Sequence, residues 1–132
     1  MKFLYDARYI RPDFHDGISR YTTELANAVA KQTTVTFIIS DEKQLALLPE
    51  NADFVKIHAP ISPLEPFTSI ILNKFKPDVV FSPLFSMGTV GRKFKLILTS
   101  HDMIYVHHPE PPLDIRSKLL RVGWRAYYAT NI

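Results

Sequence analysis

Short apolar runs rich in β-branched residues alternate, in regular turn, with stretches of helical periodicity along this chain. Phe3-Leu4-Tyr5 opens a strand that ends near Asp6 or Ala7, and residues 8–16, with Pro12 among several polar side chains, follow as a loop. Ile18, Tyr21, Leu25, Ala28 and Val29 then recur at spacings of three and four, which predicts a helix with Asp16 as its N-cap. Residues 35–39 predict a second strand, residues 41–48 a short helix stopped by Pro49, and residues 54–57 a third strand. Leu64, Phe67, Ile71 and Phe75 form a second helical stripe, ended by Pro77-Asp78. Residues 79–81 and 94–99 are the fourth and fifth strands, and residues 113–128 a last helix.

Strand and helix in alternation argue for βαβ units, hence an α/β chain built on a mostly parallel sheet. The near-continuous apolarity of residues 79–81 and 96–98 suits a sheet covered on both faces. The expected fold is a Rossmann-like three-layer domain. In such sheets ligands bind beyond the carboxyl ends of the strands, which selects the loops 8–17, 82–93 and 100–112.

Totals narrow the function classes. The 132 residues amount to one domain, long enough to bury a core, and 46% apolar with 22% charged residues is an ordinary globular mix. With no cysteine, a disulfide scaffold, a thiolate zinc site and a cysteine nucleophile are excluded. The 16 basic and 13 acidic residues leave a net charge of +3, short of the clustered density of a nucleic-acid binder, so no nucleic-acid partner is expected. That mild excess favours approach to phosphate-bearing ligands or an anionic membrane face. No apolar run reaches the roughly 18 residues of a membrane span, and Asp6 and Arg8 interrupt any signal-like start; the lack of cysteine fits a cytoplasmic protein.

Two loops carry candidate chemistry. The first ends Phe14-His15-Asp16-Gly17-Ile18, where a helix start offers free N–H groups to an anion and Gly17 allows close backbone approach. Arg20, in the first turn, reaches the same mouth. A glycine easing a tight turn and a solvated arginine would account for the same residues, since the Gly-x-Gly-x-x-Gly fingerprint is absent. The second loop opens Thr99-Ser100-His101-Asp102, a polar pair where the fifth strand ends. A histidine there can donate to or accept from a ligand hydroxyl, and Asp102 can bind a sugar or orient its neighbour. The alternative is a structural histidine and a turn aspartate. No nucleophile-elbow Gly-x-Ser-x-Gly accompanies them, which argues against a serine triad. The segment His107-His108-x-Glu110 lacks the helical spacing of a zinc motif, and no metal site is expected. The last helix mixes Arg116, Lys118, Arg121 and Arg125 with Trp124, Tyr127 and Tyr128. Peripheral contact with an anionic membrane is one use for it. An ordinary amphipathic helix is the better account, because basic and apolar positions are not separated around the wheel.

Several of these segments also resemble a known family. Asp6-Ala7-Arg8 followed by Gly17-Ile18-Ser19-Arg20-Tyr21-Thr22 resembles the opening of the retaining glycosyltransferases of family four. Pro77-Asp78-Val79-Val80-Phe81-Ser82-Pro83 resembles their fourth strand, and Thr99-Ser100-His101-Asp102-Met103-Ile104 with His108-Pro109-Glu110 resembles their fifth strand and its loop. The match is piecewise, in the right order, and spans nearly the whole chain. Asp16, Ser19 and Phe81 depart from it, standing where many relatives have glycine, glycine and histidine.

The resemblance implies a GT-B architecture of two Rossmann-like domains facing a cleft. Residues 1–132 would be the amino-terminal, acceptor-side domain, with a donor-binding domain following it. It implies transfer of a hexose, mannose or glucose, from a nucleotide sugar to a glycan or lipid-linked acceptor, with retention and without a cofactor or catalytic metal. It implies a catalytic role for His101 and substrate contacts for Gly17, Arg20 and Asp102. It also implies a cytoplasmic enzyme that can work at the inner membrane face. A non-catalytic ligand-binding or interaction module is the competing expectation.

Overall fold

The computed structural model describes residues 1–102 together with His107, Val122, Gly123 and Ala126. The helix expected over residues 113–128, and the membrane contact assigned to it, lie outside the described residues apart from the last three of these positions.

Five strands, β1 (Phe3–Asp6), β2 (Thr36–Ile39), β3 (Asp53–Lys56), β4 (Val79–Ser82) and β5 (Lys95–Leu98), form one sheet in the order β3-β2-β1-β4-β5. Every pairing is parallel, with Leu4 opposite Thr36 on one side and Val80 on the other. This is an α/β, Rossmann-like sheet. Chain order reverses direction between β1 and β4, so the switch-point crevice lies beyond Asp6 and Ser82.

Alternation along the strands divides the core in two. Tyr5, Phe37 and Ile39 point to one face, where helix α1 (Gly17–Ala30) and the 3-10 helix Glu42–Leu47 cover them. Leu4, Ile38 and Val80 point to the other, where they meet Leu72 of the short helix α2 (Thr68–Asn73) together with Met87 and Phe94. Tyr5 packs edge-on against Phe37, and its hydroxyl donates to the Thr22 carbonyl of α1 at 2.9 Å. Burial, with smaller contributions from Tyr21 and Asp6, pushes the Tyr5 phenol well above its ordinary value.

Helix α1 starts as expected: Asp16 Oδ1 accepts from the Ser19 backbone N–H at 2.8 Å. Its buried face differs from the expected apolar stripe. Ser19, Thr22, Thr23 and Ala26 face the sheet, while Ile18 and Tyr21 are exposed. The hydroxyls of Thr22 and Thr23 bond the carbonyls of Ile18 and Ser19 one turn back, so these small side chains enter the interior with their polar atoms satisfied. The second stripe is displaced in the same way. Leu64 and Phe67 are exposed, and Glu65, Thr68, Ser69 and Leu72 are buried. An ion pair described below draws Glu65 inward.

The short helix after β2 carries a capping box between Asp41 and Gln44. Gln44 does more than cap: its Nε2 donates to the carbonyls of Arg8 and Ile10 at 3.0 and 2.9 Å, which fixes the loop leaving β1.

Candidate functional site

A cavity of about 740 Å³ opens at the carboxyl edge of the sheet. Tyr9 comes from the loop after β1, Leu84, Phe85 and Ser86 from the loop after β4, and His101 and Asp102 from the loop after β5. These are three loops that the sheet topology selects. The fourth wall is residues 60–66, the segment between β3 and α2, which the sequence reading did not include. It contributes Pro60, Ile61, Pro63 and Pro66 around Glu65. Among the described residues no lysine or arginine lines the cavity, and two carboxylates do.

Of the expected site residues, His101 and Asp102 are brought together at this cavity, whereas Gly17 and Arg20 are not among its lining residues. Gly17 is the first residue of α1, and a Cβ placed there would meet open space, so its backbone is accessible. Arg20 is exposed. Ile18, one residue after Gly17, is the side chain through which α1 reaches the cavity.

His101 is held from two sides. Its ring meets Tyr21 of α1 edge-on at 4.8 Å between centroids, and its Nε2 lies 2.7 Å from the Pro83 carbonyl oxygen. A carbonyl only accepts, so Nε2 is the donor, and in the neutral ring Nδ1 is left as an acceptor. The Ser100 hydroxyl donates to the Asp102 carbonyl at 2.6 Å and closes the start of the same loop. Among the described residues no group of three histidine, aspartate or glutamate side chains is arranged to hold a metal ion.

Beneath the cavity lies a buried ionic cluster that sequence reasoning missed. Arg8 Nε and Nη2 donate to the two carboxylate oxygens of Asp6, each at 2.9 Å. Arg8 Nη1 donates to Glu65 Oε2 at 2.8 Å and Nη2 to Oε1 at 3.2 Å. The planar guanidinium therefore bridges two carboxylates through paired contacts. His58 Nε2 completes the group, 3.1 Å from Glu65 Oε2 and 2.9 Å from Thr68 Oγ1. Because the Thr68 hydroxyl donates to the Glu65 carbonyl, it accepts from His58. Burial opposes the charge on Arg8, but Asp6 and Glu65 outweigh it and hold the guanidinium above its ordinary value. Glu65 is both a member of this cluster and part of the cavity lining.

The signal for the cluster was present in Asp6-Ala7-Arg8, opposite charges two residues apart where a central strand ends. Glu65 was hidden between Leu64 and Pro66 inside an apparently apolar stripe. The neighbouring loop is locked to the same wall. A Cβ on Gly88 would collide with the Glu65 carbonyl and with the Pro66 backbone, and the Gly88 carbonyl accepts from both the N–H and the hydroxyl of Ser69.

No protein-family model, no curated protein and no solved structure matches the chain.

Proposed function

We propose that this chain is the acceptor-side domain of a retaining hexosyltransferase, and that the cavity receives a hydroxyl-bearing acceptor. The observation that carries this reading is the composition of the cavity at the switch point: Tyr9 and Phe85 offer aromatic surface, His101, Asp102 and Glu65 offer polar groups, and no lysine or arginine lines it among the described residues. Such a lining suits an uncharged polyhydroxyl group, and among the described residues it offers a diphosphate no cation. The volume is that of a small-molecule site. The motifs around His101 that resemble family four support the reading on the side of sequence.

In this reading His101, with Nε2 committed to Pro83, presents Nδ1 as an acceptor for a substrate hydroxyl, and Asp102 supplies a second polar contact. Donor sugar nucleotide would be held chiefly by another domain, so this chain alone would transfer sugar poorly. A non-catalytic ligand-binding module is the second reading. It is favoured by the completeness of the hydrogen bonding around Glu65, whose carboxylate already serves Arg8 and His58.

Saturation-transfer NMR and calorimetry on the chain, with methyl hexosides and with uridine and guanosine diphosphate sugars, separate the possibilities. Binding of the simple glycosides, abolished by His101→Ala, with weak or no binding of the nucleotide sugars, is the expected result. Tight stoichiometric binding of a nucleotide sugar sinks the acceptor-side assignment. A glycoside that binds equally well to His101→Ala removes the histidine from the site.

A further inference from the structure

At the end of the sheet opposite the cavity, the side formed by β1, β4 and β5 is basic, while β3 at the far edge opens on Asp53. Lys2 precedes β1, Lys74 and Lys76 follow α2, Arg92 and Lys93 lead into β5, and Lys95 is its first residue. All six are exposed. Backbone and side-chain contacts gather them on one edge. Lys2 Nζ donates to the Phe75 carbonyl, the Asp78 N–H donates to the Lys2 carbonyl, and the Lys95 N–H donates to the Asp78 carbonyl. Asn73 ties the remaining segment in, accepting from the Lys93 N–H and donating to the Gly91 carbonyl. Within residues 74–95 the one acidic side chain is Asp78, and it accepts from the Lys2 backbone N–H. Lys76 and Lys93 flank a recess of about 190 Å³ with Asn73 and Pro77. Beside them Val90, 43% exposed, stands at the tip of the β4–β5 connection, next to Gly91 and Arg92.

We infer that this edge docks on an anionic phospholipid bilayer, the cations meeting headgroup phosphates and Val90 entering the interface. Clusters of four to eight cations suffice to hold a segment at an anionic membrane surface. An apolar side chain amid the cations suits the headgroup boundary, where apolar burial and charge attraction add. A single-stranded nucleic acid would call for aromatic stacking platforms, and no exposed aromatic side chain stands among these six cations. The recess between Lys76 and Lys93 admits a single phosphate group, which fits a lipid headgroup better than a continuous backbone. The inference is independent of the function proposed above, since it rests on the other end of the sheet.

The test is co-sedimentation of the whole chain with vesicles of phosphatidylcholine alone and of phosphatidylcholine with phosphatidylserine. Binding to the serine-containing vesicles only, weakening as salt rises through the physiological range, is expected. Lys76→Glu with Lys93→Glu should weaken it by about tenfold or more, as should Arg92→Glu with Lys95→Glu in a second variant. Thermal unfolding of both should match the parent, because all four side chains are exposed. Equal binding by parent and variants overturns the inference. So does binding that survives both variants but is lost on reversing Arg116 and Arg121, which would put the contact elsewhere. Absence of binding to serine-containing vesicles, displacement by an RNA oligonucleotide, or displacement by inorganic phosphate beyond that by chloride at matched ionic strength overturns it as well.

Discussion

Arg8 and Glu65, 57 positions apart in the chain, meet through two buried hydrogen bonds of 2.8 and 3.2 Å, and the same guanidinium grips Asp6. The pair joins the end of the central strand to the wall of the cavity. Removing one partner of a buried ion pair leaves the other charge uncompensated, at a cost of about 3–5 kcal/mol. Arg8→Ala strands two carboxylates, so urea denaturation should show a loss at or above that range. Arg8→Lys should recover only part of it, because an ammonium cannot reproduce the forked contact with both partners. A stability within about 1 kcal/mol of the parent for Arg8→Ala would show that the cluster contributes little.

Gly88→Ala tests the wall from the other side. The added methyl would overlap the backbone of Glu65 and Pro66, so one loop must move. Overpacking of this kind costs about 1–3 kcal/mol or more. The thermal midpoint should fall, and crosslinking or amide exchange should report a displaced segment over residues 60–66. An unchanged exchange pattern would mean that the two loops are not locked together.

Tyr5 gives a pH dependence with a definite sign. Its folded value is raised, so the unfolded chain releases this proton first as pH climbs past roughly 10. The stability linked to it is intact below that pH and is lost on the way up to the folded value, by about 1.4 kcal/mol per pH unit. Tyr5→Phe should remove this component of alkaline unfolding while losing about 1 kcal/mol at neutral pH with the bond to Thr22. An alkaline limb of unchanged slope in the variant would contradict the assignment.

Asp16→Ala should cost about 1 kcal/mol, the usual worth of an N-cap, as its carboxylate no longer accepts from Ser19. Asp16→Asn should retain most of that. Chemical denaturation of the three proteins under one buffer decides it.

His101→Ala should cost no more than about 1 kcal/mol of stability, because the residue is exposed and loses one hydrogen bond, to Pro83, with its edge contact on Tyr21. In the complete enzyme proposed above, turnover should fall by about tenfold or more, the rate equivalent of roughly 1.4 kcal/mol. A chain that no longer folds would make His101 a structural residue. Undiminished turnover would remove it from the chemistry.

The strands were legible because apolar runs such as Val79-Val80-Phe81 have few other uses, and their limits agree with the folded ones to within a residue or two. The faces of the helices were not. Periodicity reads apolar residues as inward, yet Thr22 and Thr23 enter the core by bonding their own helix, and Ile18 and Tyr21 are left exposed. His101 and Asp102 could be located because a strand's carboxyl end is a topological address. Glu65 could not, since its burial depends on Arg8, far away in sequence, and no local pattern encodes that partnership.

The strand order has a consequence for how the chain is made. β1 is central, yet its neighbour β4 lies some seventy residues downstream, with Phe3 opposite Val79. On the ribosome, β1, β2 and β3 can pair first, leaving β1 as an open edge of the nascent sheet until residues 79–82 emerge. At about 5–20 residues per second that interval is on the order of a few seconds. During it an unpaired apolar strand is available to other chains, the usual route to misassembly. Holding factors or a slow stretch of translation before residue 79 would therefore act on yield rather than on the stability of the finished fold.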